Sequence, residues 1–137
     1  MQYNEFLKKS KKIVEDLLEI LEVHLEELTY KEKELVVAYS FGLMTSMAKE
    51  YEVLEEDVCE SLKEILTEIF EYKKDEAECI FKRTVKNIKK TGDEEFQIMI
   101  YQGKNIYLDY KKKNYNQEYD NITNMMDIII SKKYKNY

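Results

Sequence analysis

Few residues in this chain could carry chemistry. His24 is the only histidine, and proton transfer through an imidazole needs an acid or a nucleophile beside it. The Glu-x-x-His spacing that helical bundles use for di-iron centres would require an acid at position 21, where Leu21 stands, and Ile20 offers none either. His24 therefore reads as a solvent-edge residue of the first helix. Cys59 and Cys79 form no Cys-x-x-Cys pair and lack a histidine cluster, which indicates neither a disulfide scaffold nor a zinc site. They read as reduced, partly buried thiols near the starts of consecutive helices. Packed antiparallel, those helices would hold the two cysteines beyond the ~7 Å between Cα atoms that a disulfide can span.

Acidic side chains are plentiful, but pairs such as Glu22 and Glu26 are ordinary neighbours one helical turn apart. There is no glycine-rich phosphate loop, no Gly-x-Ser-x-Gly, no His-Glu-x-x-His and no Asp-rich calcium loop. No catalytic set, cofactor or metal is indicated, and the expectation is a non-enzymatic binding protein.

Two stretches carry binding chemistry of opposite sign. Tyr107-Leu108-Asp109-Tyr110-Lys111-Lys112-Lys113-Asn114-Tyr115 interleaves aromatic rings with lysines, as in platforms where bases stack and cations follow phosphates. A helical regulatory or nucleic-acid-associated module is the reading that follows from it. The net charge of −6 opposes a polyanion, so nucleic acid is the weaker expectation. Glu50, Glu52, Glu55, Glu56 and Asp57 surround one helix junction and would attract a basic protein partner. Residues 1–57 hold 14 acidic and 7 basic side chains, whereas residues 111–137 carry six lysines against three acids. The molecule has an acidic front and a mildly basic end.

The elements that must position these residues are helices. The chain has no proline and three glycines in 137 residues, which removes the punctuation of strands and hairpins and leaves room for one domain with a genuine core. Apolar residues from Phe6 to Leu28 recur at three- and four-residue spacing and predict a first helix over 3–27. Thr29-Tyr30-Lys31-Glu32 fits a capping box that starts a second helix at Tyr30, ending near Glu52. Three acids in its first turn suit the positive end of a third helix over 55–70. Lys73 to Glu76 read as a separator before a stripe from Ala77 to Ile88, and Lys89-Lys90-Thr91-Gly92 reads as a helix stop. Asp93-Glu94-Glu95 open a fifth helix that reaches Tyr110. A terminal helix over 117–133, within a Tyr-, Lys- and Asn-rich segment from about 115, offers Ile122, Met125, Met126, Ile129 and Ile130. The expected fold is an all-α, single-domain bundle of about six helices spanning 1–137, with the helix at 30–52 central.

The uncharged run Leu35 to Ala48 is 14 residues long, short of the roughly 20 that a bilayer-crossing helix needs. A membrane segment is not expected. The first residues, Met1 to Glu5, lack the basic start and apolar core of a signal peptide, and a cytoplasmic protein is expected. The run reads as a core helix, apolar on nearly every side, with Phe41 and Gly42 at its structural centre. Glycine there would admit a neighbouring backbone.

Ala38-Tyr39-Ser40-Phe41-Gly42-Leu43-Met44, then Met47-Ala48 and Tyr51, followed by Val53-Leu54-Glu55-Glu56-Asp57-Val58, resembles small all-α immunity proteins of bacterial polymorphic toxin systems. In these an aromatic-Gly helix leads into a helix start with the pattern hydrophobic-acid-acid. The resemblance covers roughly residues 30–110 in helix order. It implies stoichiometric inhibition of a toxin domain, and many such toxins are basic nucleases, which an acidic inhibitor suits. The contact residues expected on this reading are Glu50, Glu52, Glu55, Glu56 and Asp57, with Tyr107 and Tyr110 as exposed aromatics. The basic stretch after Lys111 departs from a uniformly acidic inhibitor.

Overall fold

The structure, a computed structural model, describes residues 1–87 and 93–135, with side chains as far as Ser131. Six α-helices form a single all-α domain, and there is no strand among the described residues: α1 Tyr3–Leu21, α2 Tyr30–Glu50, α3 Glu55–Glu68, α4 Lys74–Lys86, α5 Glu94–Lys111 and α6 Tyr115–Lys135. The helix stop read at Lys89 to Gly92 lies outside the described residues.

The first helix is shorter than its apolar spacing predicts. Glu22 turns into the left-handed region (φ 54°), its N–H closing on the Glu19 carbonyl. A single 3₁₀ turn, Leu25–Glu27, then occupies the remainder. His24 sits just before that turn, exposed, with its backbone N–H donating to Glu27 Oε1 at 2.9 Å. It is therefore not part of the first helix. The start of α4 also differs, because Lys73 N–H donates to Glu76 Oε1 at 3.2 Å. Lys74 to Glu76 become the first helical turn instead of a separator.

The second helix begins as its sequence requires. Glu32 N–H donates to Thr29 Oγ1 at 3.1 Å, and Thr29 N–H donates to Glu32 Oε1 at 2.8 Å. From Glu34 to Met44 every residue of α2 is buried, and the helix touches all five others. Its closest neighbour is α5, which runs parallel to it from the Lys31–Glu95 ion pair at one end to the Glu50–Lys111 pair at the other. Between these, Gly42 faces Gly103, and Ser46 donates to the Lys104 carbonyl at 2.8 Å.

The other helices close around this pair. Arg83 of α4 donates to Glu34 at 2.8 Å, pairs with Asp93, and stands 4.3 Å from the centroid of the Phe96 ring. α6 buries Ile122, Met126 and Ile129, with Met125 packed at the edge. It also carries Asn121, which accepts from the Tyr39 hydroxyl at 2.8 Å and donates to Gln102 at 3.0 Å. α1 reaches α3 through Lys11 and Glu68 at 2.6 Å, and α5 through Asp16, which accepts from Tyr110 at 2.8 Å. No helix is long and apolar enough to cross a membrane among the described residues.

Candidate protein-binding face at the α2–α3 junction

The junction between α2 and α3 is fixed by backbone geometry. Past Glu50 and Tyr51, Glu52 takes a left-handed conformation (φ 53°), and Val53 N–H returns to the Ala48 carbonyl at 2.8 Å. This turn buries part of Val53 against the core and points the chain away from it. Leu54 then stands at the N-cap position of α3 with 68% of its surface exposed. Its carbonyl is occupied by the N–H groups of Asp57 at 3.0 Å and Val58 at 3.2 Å. A large apolar side chain is thereby held outward by a helix start and not by a flexible loop.

The five acids of the junction divide into two groups. Glu50 is engaged inward: Lys111 bonds it at 2.7 Å, and hydrogen bonding from Lys111 first, then from Tyr107 and Tyr51, holds its carboxyl below the ordinary glutamate range. Glu52, Glu55, Glu56 and Asp57 have no ion pair among the described residues. Glu52, Glu55 and Glu56 are exposed and Asp57 is half-buried. Leu54, Glu55, Glu56, Asp57, Cys59 and Glu60 line an open depression at the start of α3. Burial, followed by the charge of Glu55, raises the Cys59 thiol.

Tyr107 and Tyr110 are not the exposed aromatics that their lysine-rich setting suggests. Tyr107 is only 6% exposed, and its hydroxyl is directed to Glu50; Tyr110 is half-buried and bonded to Asp16. Burial raises both phenols. The reason is helical phase: both lie on the face of α5 that meets α1 and α2. They line a cleft of about 220 Å³ with Tyr51, Lys9, Lys12 and Lys111. Tyr115 leans on Tyr110 with ring centroids 6.4 Å apart. Tyr107 and Tyr110 are thereby withdrawn from stacking, and Lys111 is bonded to Glu50, whereas Tyr115 stays exposed. The structure thus joins Tyr107 to Glu50, separates Tyr110 from the junction acids, and leaves Glu52, Glu55, Glu56 and Asp57 together around Leu54.

The family model described as Immunity protein 48 matches residues 6–130. The chain belongs to that family. No curated protein and no solved structure gives a match. In this Immunity protein 48 member, the described residues contain no group of three or more His, Cys, Asp or Glu able to hold a metal ion. Both cysteines are free; Cys59 is half-buried and Cys79 is exposed, which corrects the expectation of two partly buried thiols.

Two features were missed in the sequence. Leu54 was visible only as part of a helix start, and nothing in its neighbours signals its exposure. Glu118 is buried on α6, and here a signal existed: it stands four residues before Ile122 and eight before Met126, on the same apolar stripe.

Proposed function

We propose that this protein is a cytoplasmic, non-enzymatic immunity protein that neutralises a toxin by stoichiometric binding through the α2–α3 junction. Membership of the Immunity protein 48 family supports the class. The observation that carries the choice of face is the exposed Leu54 at a helix start, beside carboxylates that have no ion pair among the described residues. An apolar anchor within a charged rim is the arrangement in which the anchor supplies affinity and the rim accelerates and orients encounter. A rim of Glu52, Glu55, Glu56 and Asp57 selects a basic partner, such as a nuclease domain. Free thiols accord with a reducing compartment.

Inhibition by occupancy needs no reaction on the inhibitor and saturates at one molecule per toxin. The test is co-expression with each product of the neighbouring open reading frames, followed by titration of the purified pair. The expected result is rescue from a toxic neighbour and a 1:1 end point, with rescue lost in the Glu52→Lys, Glu55→Lys, Glu56→Lys variant. A variant that still rescues fully, while folded, would move the contact elsewhere. A substoichiometric end point would show turnover and overturn the non-enzymatic reading.

A further inference from the structure

Glu118 lies in the first turn of α6 with its side chain fully buried, and neither carboxyl oxygen has a hydrogen-bond partner among the described residues. The groups facing it come from every helix packed on α6. α1 presents Asp16, which Lys12 and the Tyr110 hydroxyl bind; α2 presents Tyr39; α5 presents Asp109 and Tyr110. On α6 itself, Tyr115 rests against Tyr110. The charges that act on Glu118 are both negative, so a carboxylate there would be desolvated and repelled together. Burial first, then Asp16 and Asp109, push this carboxyl up to about 7.

The turn before α6 fixes where Glu118 sits. Lys113, in the turn before α6, has a left-handed backbone (φ 61°), and Asn114 is tied to Asp109 by its N–H at 2.8 Å and its side-chain amide at 3.2 Å. Glu118 N–H in turn donates to the Asn114 carbonyl at 3.3 Å, so this turn holds the start of α6 against α5 and places the Glu118 carboxyl in the α1–α2–α5 seam.

We propose that Glu118 is a proton-operated latch for α6, allowing the helix to seat against α1, α2 and α5 as the neutral acid and loosening that seat as the carboxylate. Opening breaks the Tyr39–Asn121 bond and uncovers Ile122, Met126 and Ile129. The closed form holds a proton that the open form releases, between the ordinary glutamate range and about 7. Opening therefore becomes more favourable as pH rises through that window and levels off above it. This device is independent of the toxin-binding reading.

Amide hydrogen exchange of α6 and α2 at several pH values, corrected for intrinsic exchange, tests the latch in wild type and Glu118→Gln. The opening constant of α6 in the wild type should rise more than roughly tenfold between pH 5 and 7 and then flatten. In the variant it should be independent of pH, and α6 should open more readily than residues 35–44 of α2. A flat wild-type profile, the same profile in the variant, or one shared opening constant for α6 and α2 would overturn the proposal. A ¹³C titration of the wild-type carboxyl gives a separate readout: a midpoint near 7 is expected, and one in the ordinary glutamate range overturns it.

Discussion

Gly42 and Gly103 meet face to face across the α2–α5 interface. A Cβ on Gly42 would stand 2.8 Å from Lys104 N and 2.9 Å from Gly103 Cα, and would overlap the Ile100 carbonyl oxygen. A Cβ on Gly103 would overlap the Tyr39 carbonyl oxygen and lie 3.1 Å from Gly42 Cα. The atoms in the way are backbone, which no rotamer change can move.

Gly42→Ala and Gly103→Ala should each destabilise the fold, although alanine gains about 1 kcal/mol of helix propensity over glycine. Overpacking of this kind costs about 1–3 kcal/mol, and here the whole helix must shift. Gly42→Leu should cost more. Urea denaturation checks this; unchanged midpoints would mean that the two helices separate freely.

Asp93 should make stability depend on acid. Burial alone would raise its carboxyl, but hydrogen bonds from Arg83 and from the Glu95 N–H outweigh burial and hold it below the ordinary aspartate range. A lowered native value means that the unfolded chain takes up the proton first, so Asp93 contributes stability above the ordinary range and loses it as pH falls through the lowered value. Wild type should exceed Asp93→Asn in stability at pH 7, with the gap closing toward pH 2. Urea midpoints across that range measure it, and a constant gap would contradict it.

Leu54→Ala should leave stability within about 0.5 kcal/mol of wild type, because its side chain is largely outside the core. If the junction binds a toxin, the same change should weaken the complex by 1 kcal/mol or more, about fivefold in Kd. Thermal melting and calorimetric titration together separate the two effects.

The cysteines should react at different rates. Cys79 is exposed, whereas Cys59 is half-buried and its thiol is raised by burial and by Glu55. Since the thiolate is the attacking species, an aromatic disulfide reagent at pH 7.5 should modify Cys79 well before Cys59. Mass spectrometry of partly labelled protein would show the order, and equal labelling would contradict it.

Much of the helical frame was legible because its signals are local. Thr29 and Glu32 cap one another within four residues, and the stripes of α3 and α6 repeat at one period. The centrality of α2 was legible too, since a helix apolar on every side has only one stable place. What escaped depends on phase and on distant partners. Tyr107 looks like a surface residue beside three lysines, and only the rotation of α5 against α2 turns it inward onto Glu50. Arg83 joins Glu34 and Asp93 across 49 and 10 residues of chain, a link that periodicity does not encode. At the candidate site the acidic group was readable as composition, but its split into a Glu50 bonded to Lys111 and outer carboxylates with no ion pair among the described residues was not.

The parallel pairing of α2 with α5 also bears on how the chain acquires its structure. Parallel neighbours cannot be joined by a tight turn, and here α3 and α4 must be made before α5 can arrive. Until then the all-round apolar surface of α2 has only α1, α3 and α4 to cover it. On the ribosome this leaves an interval in which a half-clothed nascent segment is exposed to chaperones or to aggregation; it shortens when Gly103 reaches Gly42 and closes when Asn121 reaches Tyr39.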